Sequence, residues 1–295
     1  MSKLNVLNAV TGYQEAVKIK EELAKTGSDF TDQKWVTANT IAKLHPKRLT
    51  LEVSEVIEET ETTKTFRLVS TGSTLPPFQA GQYINLFVEI GGVKTSRPYA
   101  ISSSPSQRDY YDLTVKRVAD GFVTHYLLDN VEVGQQLLST GPMGTFYHNP
   151  IFHGGDLVFL AGGSGIAPAM SMLTEVLDRK LGYQFHFIYA SSYIDDVIFI
   201  DALRTLAQQH KNFKLTEVIS RPPENYQGLT GHLNAELIQS LVGDVKQKMF
   251  YVCGPTTFHD FCQSQLLSLG VPPRRVRIEA NGPPKHPDQL DDWPR

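Results

Sequence analysis

Two groups of residues in this chain have the types and spacing to do chemistry. The first is the run from Val158 to Ala161, followed by Gly162-Gly163-Ser164-Gly165 and, from Pro168, by helix-forming residues. A short unbroken apolar run reads as a strand buried on both faces. A proline suits the first turn of a helix, where its missing N–H is not needed. Strand, glycine turn and helix start together gather free backbone N–H groups and the positive end of a helix dipole, which attract phosphate. Without a Cβ, a diphosphate can lie against the backbone. The same residues also suit a tight strand-to-helix turn with no ligand, and their spacing is not G-x-G-x-x-G. The second group is Arg97-Pro98-Tyr99-Ala100-Ile101-Ser102-Ser103. A guanidinium holds a diphosphate through charge-assisted hydrogen bonds worth roughly 1.5–3 kcal/mol. Tyr99, two residues on along a strand, points to the same face and could cover a planar ring. Alone, this segment is as well explained by an exposed strand with an ion pair. Its company strengthens it: Lys116-Arg117, then Gly121-Phe122-Val123-Thr124 opening a helix, a second natural diphosphate site.

These residues need elements to position them. From Thr50 the period is two: Leu51–Val53, Thr65–Val69, Tyr83–Ile90 and Leu113–Val118 read as short strands, separated by glycine- and proline-bearing turns. One short helix fits Phe122–Asp129, and Gly141-Pro142-Met143-Gly144 reads as a boundary turn. This pattern predicts an antiparallel β-barrel or sandwich. Beyond Pro150, strands at Leu157–Leu160, Phe185–Tyr189, Lys214–Ile219 and Met249–Val252 alternate with helical spacing at Pro168–Leu181, Phe199–His210 and Asn234–Val242. That alternation predicts an α/β doubly wound parallel sheet, with ligands beyond its C-terminal strand ends. Gly162–Gly165, Ser191–Ser192 and Cys253-Gly254-Pro255-Thr256 all follow such ends and would line one rim. Ahead of both lie helices over Tyr13–Lys25, with Gly27 as its stop, and over Trp35–Leu44, ended by Pro46. The boundaries expected are a helical extension at 1–48, a barrel at 49–148, an α/β domain at 149–282 and a proline-rich tail or linker at 283–295.

Composition narrows the classes. With 295 residues, 41% hydrophobic and 20% charged, the chain is of ordinary globular make-up and long enough for about two domains. A net charge of −3 and the lack of a basic block give no reason to expect nucleic acid or an anionic membrane surface. No apolar run reaches membrane-spanning length, and the N-terminus lacks the features of a signal peptide. The two cysteines, Cys253 and Cys262, make neither a disulfide framework nor a four-thiolate cluster, so a reducing cytoplasm fits best. The histidines show no ligand-like spacing, and no metal site is expected.

The order R-P-Y-A-I-S-S, V-K-R, G-F-V-T, G-P-M-G, A-G-G-S-G-I-A-P and Y-V-C-G-P, over about residues 50 to 282, resembles the ferredoxin–NADP reductase superfamily. The resemblance implies FAD, or less readily FMN, on the barrel and a nicotinamide nucleotide on the α/β domain. It implies a hydride passed from NAD(P)H to flavin, and electrons released to a ferredoxin, an iron–sulfur domain or an oxygenase-type partner. Arg97, Pro98, Tyr99 and Thr124 would hold flavin, Ala100, Ile101 and Ser102 would run beside its ring system, and Val115-Lys116-Arg117 with Gly121, Phe122 and Val123 would complete that site. Gly163, Ser164, Gly165, Ser191 and Cys253 to Thr256 would hold the nicotinamide nucleotide. Ser220 and Arg221, with Tyr226, stand where relatives that use NADP hold the 2′-phosphate; Asp195-Asp196 would repel one if close, and the choice between NADH and NADPH stays open. Cys253 would be a polarizable side chain beside the nicotinamide rather than a nucleophile, Glu279 an acid near the flavin, and Cys262 core filler.

Ala100 replaces the serine or threonine that many relatives carry, and no aromatic residue ends the chain. The tail from Gly282 reads as a linker, consistent with a fragment of a longer protein or with a separate iron–sulfur partner. Two other functions fit the same residues: a reductase of free flavin or quinone, and a non-catalytic flavin- or dinucleotide-sensing module.

Overall fold

The computed structural model describes residues 13–26, 36–44, 46–72 and 74–279. The chain divides into two units, Met1–Pro46 and Lys47–Arg295. The first holds helices α1 (Tyr13–Thr26) and α2 (Val36–Leu44). Gly27, Trp35 and the tail from Ala280 lie outside the described residues.

The second unit is built on two sheets. Strands β1 (Leu49–Thr60), β2 (Thr63–Ser70), β3 (Tyr83–Ile90), β4 (Val93–Ala100), β5 (Tyr111–Lys116) and β6 (Gln136–Ser139) form an antiparallel sheet in the order β4-β3-β6-β1-β2-β5. Alternate residues fill its interior, as the pleat demands: Leu51 and Val53, Ile84 and Leu86, Leu113 and Val115 are all buried. Each such side chain contributes about 1.5–3 kcal/mol. The two edge strands meet where β4 runs on. Ile101 bridges Leu113 and the Ser102 N–H donates to the Asp112 carbonyl at 2.8 Å, which closes the sheet into a barrel. Pro98 sits on edge strand β4, the place where a missing donor is tolerated. Helix α3 (Phe122–Asn130) follows β5 and packs Val123 and Leu127 into the same core.

The second sheet is parallel. After the one-turn α4 (Pro150–His153) come β7 (Asp156–Gly162), α5 (Ile166–Asp178), β8 (Gln184–Ser191), α6 (Ile200–Gln209), β9 (Phe213–Ile219), β10 (Leu229–Thr230), α7 (Ala235–Val242), β11 (Met249–Cys253), α8 (Thr256–Ser268) and β12 (Val276–Ile278). The strand order is β10-β9-β8-β7-β11-β12. Both faces are covered. Phe159, Phe187 and Tyr251 lie under α5 and α6, and Val158, Ile188 and Phe250 under α7 and α8. This double burial explains why these strands read as continuous apolar runs. Asn234 is the cap of α7 rather than part of it; its side chain accepts the Leu237 N–H at 2.9 Å.

Candidate functional site

The chain builds outward from β7 to β10, then returns to place β11 on the other side of β7. The reversal opens a crevice at the C-terminal ends of β7 and β11, where an open α/β sheet takes its ligand. The glycine turn leaves β7 there and Cys253-Gly254 leaves β11. A Cβ on Gly165 would sit 2.1 Å from the Cys253 carbonyl oxygen, and one on Gly254 would sit 3.1 Å from the Gly162 Cα. Gly162 and Gly254 also flank the Phe258 ring, 3.0 and 2.8 Å from where their Cβ atoms would stand. Close approach of the two rim segments therefore requires these glycines. Gly163 is different: space is open around it, but its φ is +54°. The Tyr189 hydroxyl donates to the Gly163 carbonyl at 3.0 Å and steadies the turn. On the other segment the Gly254 N–H donates to His259 Nε2 at 2.9 Å, so it is already engaged. Ser164, Pro255 and Thr256 are exposed on the rim.

Cys253 and Glu279 meet in this crevice. The Cys253 thiol donates a long hydrogen bond, 3.9 Å, to Glu279 Oε2, and the other oxygen, Oε1, is buried with no partner. Burial pushes the Glu279 carboxyl up to about 8. Burial, then the Glu279 charge, raises the Cys253 thiol well above its ordinary value. A thiol so held stays protonated at neutral pH, which suits a polarizable contact and not a nucleophile. Glu279 is only 6% exposed, so it is not a solvated strand end. The barrel reaches the same point through Tyr83, whose hydroxyl is raised by burial and then by Glu279. Tyr83 is the register partner of Ala100, which carries the end of the Arg97–Ala100 segment to the crevice.

On β4, Arg97 donates to Thr95 Oγ1 at 2.8 Å and to the Ser96 carbonyl at 2.7 Å, both neutral oxygens. Lys116 is instead paired with Asp196 at 2.7 Å, and Arg117 with Asp129. Among the described residues Arg97 is thus the one of these three cations with no carboxylate partner, which leaves its charge open to an anionic group. The side chains of Ile101, Val115 and Val123 point into the barrel core, each at most 3% exposed, so only their backbone is left to meet a cofactor; strand and helix periodicity put them there. Ser102 is buried as well, its hydroxyl 3.0 Å from that of Thr114. Gly121 precedes α3 with no side-chain cap, and Thr124 Oγ1 accepts the Val118 N–H. The first N–H groups of α3, from exposed Phe122 on, have no intrahelical acceptor. The Tyr99 hydroxyl is buried without a partner. Here the residues fit a flavin nucleotide: an unopposed guanidinium, an uncapped helix start and an orphaned hydroxyl beside a ring. In flavin-free protein Tyr99→Phe should be neutral or stabilising by up to about 1–2 kcal/mol, since it removes an unsatisfied buried group. The same change should weaken flavin retention. Chemical denaturation and flavin release on dilution check the two effects, and a destabilised flavin-free variant would contradict them.

Farther along the rim the Ser220 N–H donates to the Ser191 carbonyl at 3.0 Å and the Arg221 N–H to that of Ser192 at 2.9 Å. The Arg221 guanidinium donates to the Tyr193 hydroxyl at 3.0 Å. Of the Asp195-Asp196 pair expected to repel a 2′-phosphate if close, Asp196 is engaged by the barrel, through Lys116 and Thr62. Tyr83, Tyr189, Tyr193, Phe258 and His259 support the site and were not singled out from the sequence. Tyr83 acts through tertiary pairing alone, whereas Tyr189 and Tyr193 flank Ser191–Ser192, and Phe258 and His259 lie on the first turn after the Cys253–Thr256 segment.

Two family models match the chain: an oxidoreductase FAD-binding domain over residues 48–148 and an oxidoreductase NAD-binding domain over residues 159–264. The chain is 34% identical over 232 residues to the glycine betaine monooxygenase reductase subunit of Pseudomonas aeruginosa, covering 78% of this chain and 63% of that one. It is 34% identical over 242 residues to the ferredoxin reductase component of 3-ketosteroid-9-alpha-monooxygenase from Mycobacterium tuberculosis, covering 78% and 64%. Thus it spans a little under two thirds of the length of these relatives. Among solved structures, the FAD/NAD-binding domain of nitric oxide dioxygenase from Vibrio cholerae superposes with a TM-score of 0.71 at 26% identity, over 79% of this chain and 98% of that one.

Proposed function

This chain belongs to the ferredoxin–NADP reductase superfamily, and we propose that it takes a hydride from NADH or NADPH onto FAD and passes the electrons to an iron–sulfur or oxygenase-type protein. One observation carries the reading: Tyr83, paired with Ala100 at the end of the Arg97–Ala100 segment, comes near the strand-end pair Cys253–Glu279. Bound FAD supplies the conversion of a two-electron donor into single-electron steps.

The protein's own part is positioning, since a hydride travels only between groups held about 3–3.5 Å apart. Arg97 and the start of α3 would hold the diphosphate of the flavin nucleotide, and Tyr99 would lie beside its ring system. Gly163, Ser164, Gly165, Pro255 and Thr256 receive the diphosphate and nicotinamide parts of the second nucleotide, and Ser191, Ser220 and Arg221 its adenosine end. Cys253 lines the crossing point with an uncharged, polarizable sulfur. Glu279 presents a carboxyl that keeps its proton at neutral pH and leaves no fixed negative charge against an electron-rich ring. The partner reading draws on the relatives, which are named as reductase components of monooxygenase systems.

An anaerobic titration tests this. Yellow protein should bleach with NADH or NADPH and release FAD on denaturation. With NADPH preferred, Arg221→Ala should raise its Michaelis constant far more than that for NADH. A colourless polypeptide that takes up neither flavin would overturn the assignment, and stable colour without bleaching would leave a sensor instead.

A further inference from the structure

The segment 191–198, between β8 and α6, is tied to three places at once. At its start Ser191 and Ser192 accept the N–H groups of Ser220 and Arg221, and the Tyr193 hydroxyl accepts from the Arg221 guanidinium. At its end the Ile198 N–H donates to the Tyr189 hydroxyl at 3.1 Å, which in turn donates to the carbonyl of Gly163 in the glycine turn. Between the two, a 3-10 turn over Ile194–Asp196 holds the Asp196 N–H on the Tyr193 carbonyl, so both residues belong to one turn. Asp196 leaves this sheet altogether. Its Oδ2 meets Lys116 Nζ at 2.7 Å and its Oδ1 accepts from Thr62 Oγ1 at 2.6 Å, both on the barrel. The two charged side chains are only 21% and 23% exposed, so this pair is less screened than a surface one.

We propose that Asp196 is a positioning residue for the dinucleotide: by gripping Lys116 and Thr62 it fixes the one segment on which both the adenosine end and the glycine turn of the nucleotide site are braced. Lys116, which its sequence position suggests as a flavin contact, then acts on dinucleotide affinity from the barrel side. Ordering this segment before binding removes part of the ordering that the dinucleotide would otherwise have to impose, so the clamp and the ligand favour each other. The inference rests on the reading that the rim after β7, β8 and β11 binds the nicotinamide nucleotide.

The test is calorimetric titration of the flavin-loaded full chain with NAD+, which binds without turnover. Lys116→Ala and Asp196→Ala should each weaken NAD+ about five- to tenfold, and the double variant no more than Asp196→Ala alone, because the Lys116–Asp196 interaction is lost in both. Flavin content should not change. Asp196→Asn keeps the Thr62 hydrogen bond and the side-chain shape, so it should fold normally and still lose affinity severalfold. NAD+ affinity within twofold of the parent in all three single variants overturns the proposal, as does strict additivity. Flavin loss in Lys116→Ala with NAD+ binding intact also overturns it and returns Lys116 to the flavin site. A parent chain that holds flavin yet binds no NAD+ would remove the nucleotide-rim reading itself, which the variants alone cannot do.

Discussion

Gly165→Ala is expected to disrupt the joined ends of β7 and β11, whereas Gly163→Ala, two residues away, should leave that packing nearly whole. At Gly165 the new methyl would stand 2.1 Å from the Cys253 carbonyl oxygen, 2.3 Å from its carbon and 2.7 Å from the Gly254 nitrogen. All three are backbone atoms. They cannot withdraw without breaking the ladder that pairs Cys253 with Ala161 and Val252 with Leu160. Overpacking a well-filled interior commonly costs about 1–3 kcal/mol, and where no flexible side chain can yield, about 3 kcal/mol or more is expected. At Gly163 nothing lies within 4 Å, and the penalty is that of a side chain at φ +54°, about 1–2 kcal/mol. Urea unfolding of the two variants checks the contrast. Insoluble Gly165→Ala beside soluble Gly163→Ala would count the same way; equal losses would show that the close approach is not what demands glycine.

The second large effect concerns pH. Glu279 titrates near 8 in the folded protein because burial disfavours its charge, against an ordinary value of 4.5. Between those values the folded chain keeps a proton that the unfolded chain has released. Stability therefore falls as pH rises from about 4.5 to about 8 and then levels off. Each unit of difference is worth about 1.4 kcal/mol, so the whole loss is a few kcal/mol for this enclosed group. Glu279→Gln removes the titration and keeps the shape. Its flavin-free form should match the parent near pH 5 and exceed it by a few kcal/mol near pH 9, read from denaturation midpoints across that range. Parallel curves for parent and variant would mean that the carboxyl is hydrated after all.

Much of this architecture is legible in the residues. Apolar runs such as Val158–Ala161 and Met249–Val252 announce strands covered on both sides, and alternation at Leu51–Val53 and Leu113–Val115 announces a one-sided barrel wall. What escapes the reading depends on which strand lies beside which. Tyr83 and Glu279 are brought near each other only by the packing of barrel against sheet, and nothing near position 83 in the chain encodes that neighbour. The glycines of the β7 turn illustrate the same limit. Phosphate recognition accounts for free N–H groups, but Gly162 and Gly165 are required by the approach of a segment much later in the chain. Lys116 and Arg117 carry the right charge for a diphosphate, yet each has found a carboxylate, one across the domain boundary and one on α3. Charge is visible in a sequence; its neutralisation is not.

The return of β11 to the side of β7 has a consequence for biosynthesis. On the ribosome the barrel strands, residues 49–139, emerge together and can pair at once. The carbonyl that packs over Gly165 belongs to a strand translated after β8, β9 and β10. The nascent chain can thus hold a finished barrel while the switch point between β7 and β11 still lacks one of its walls.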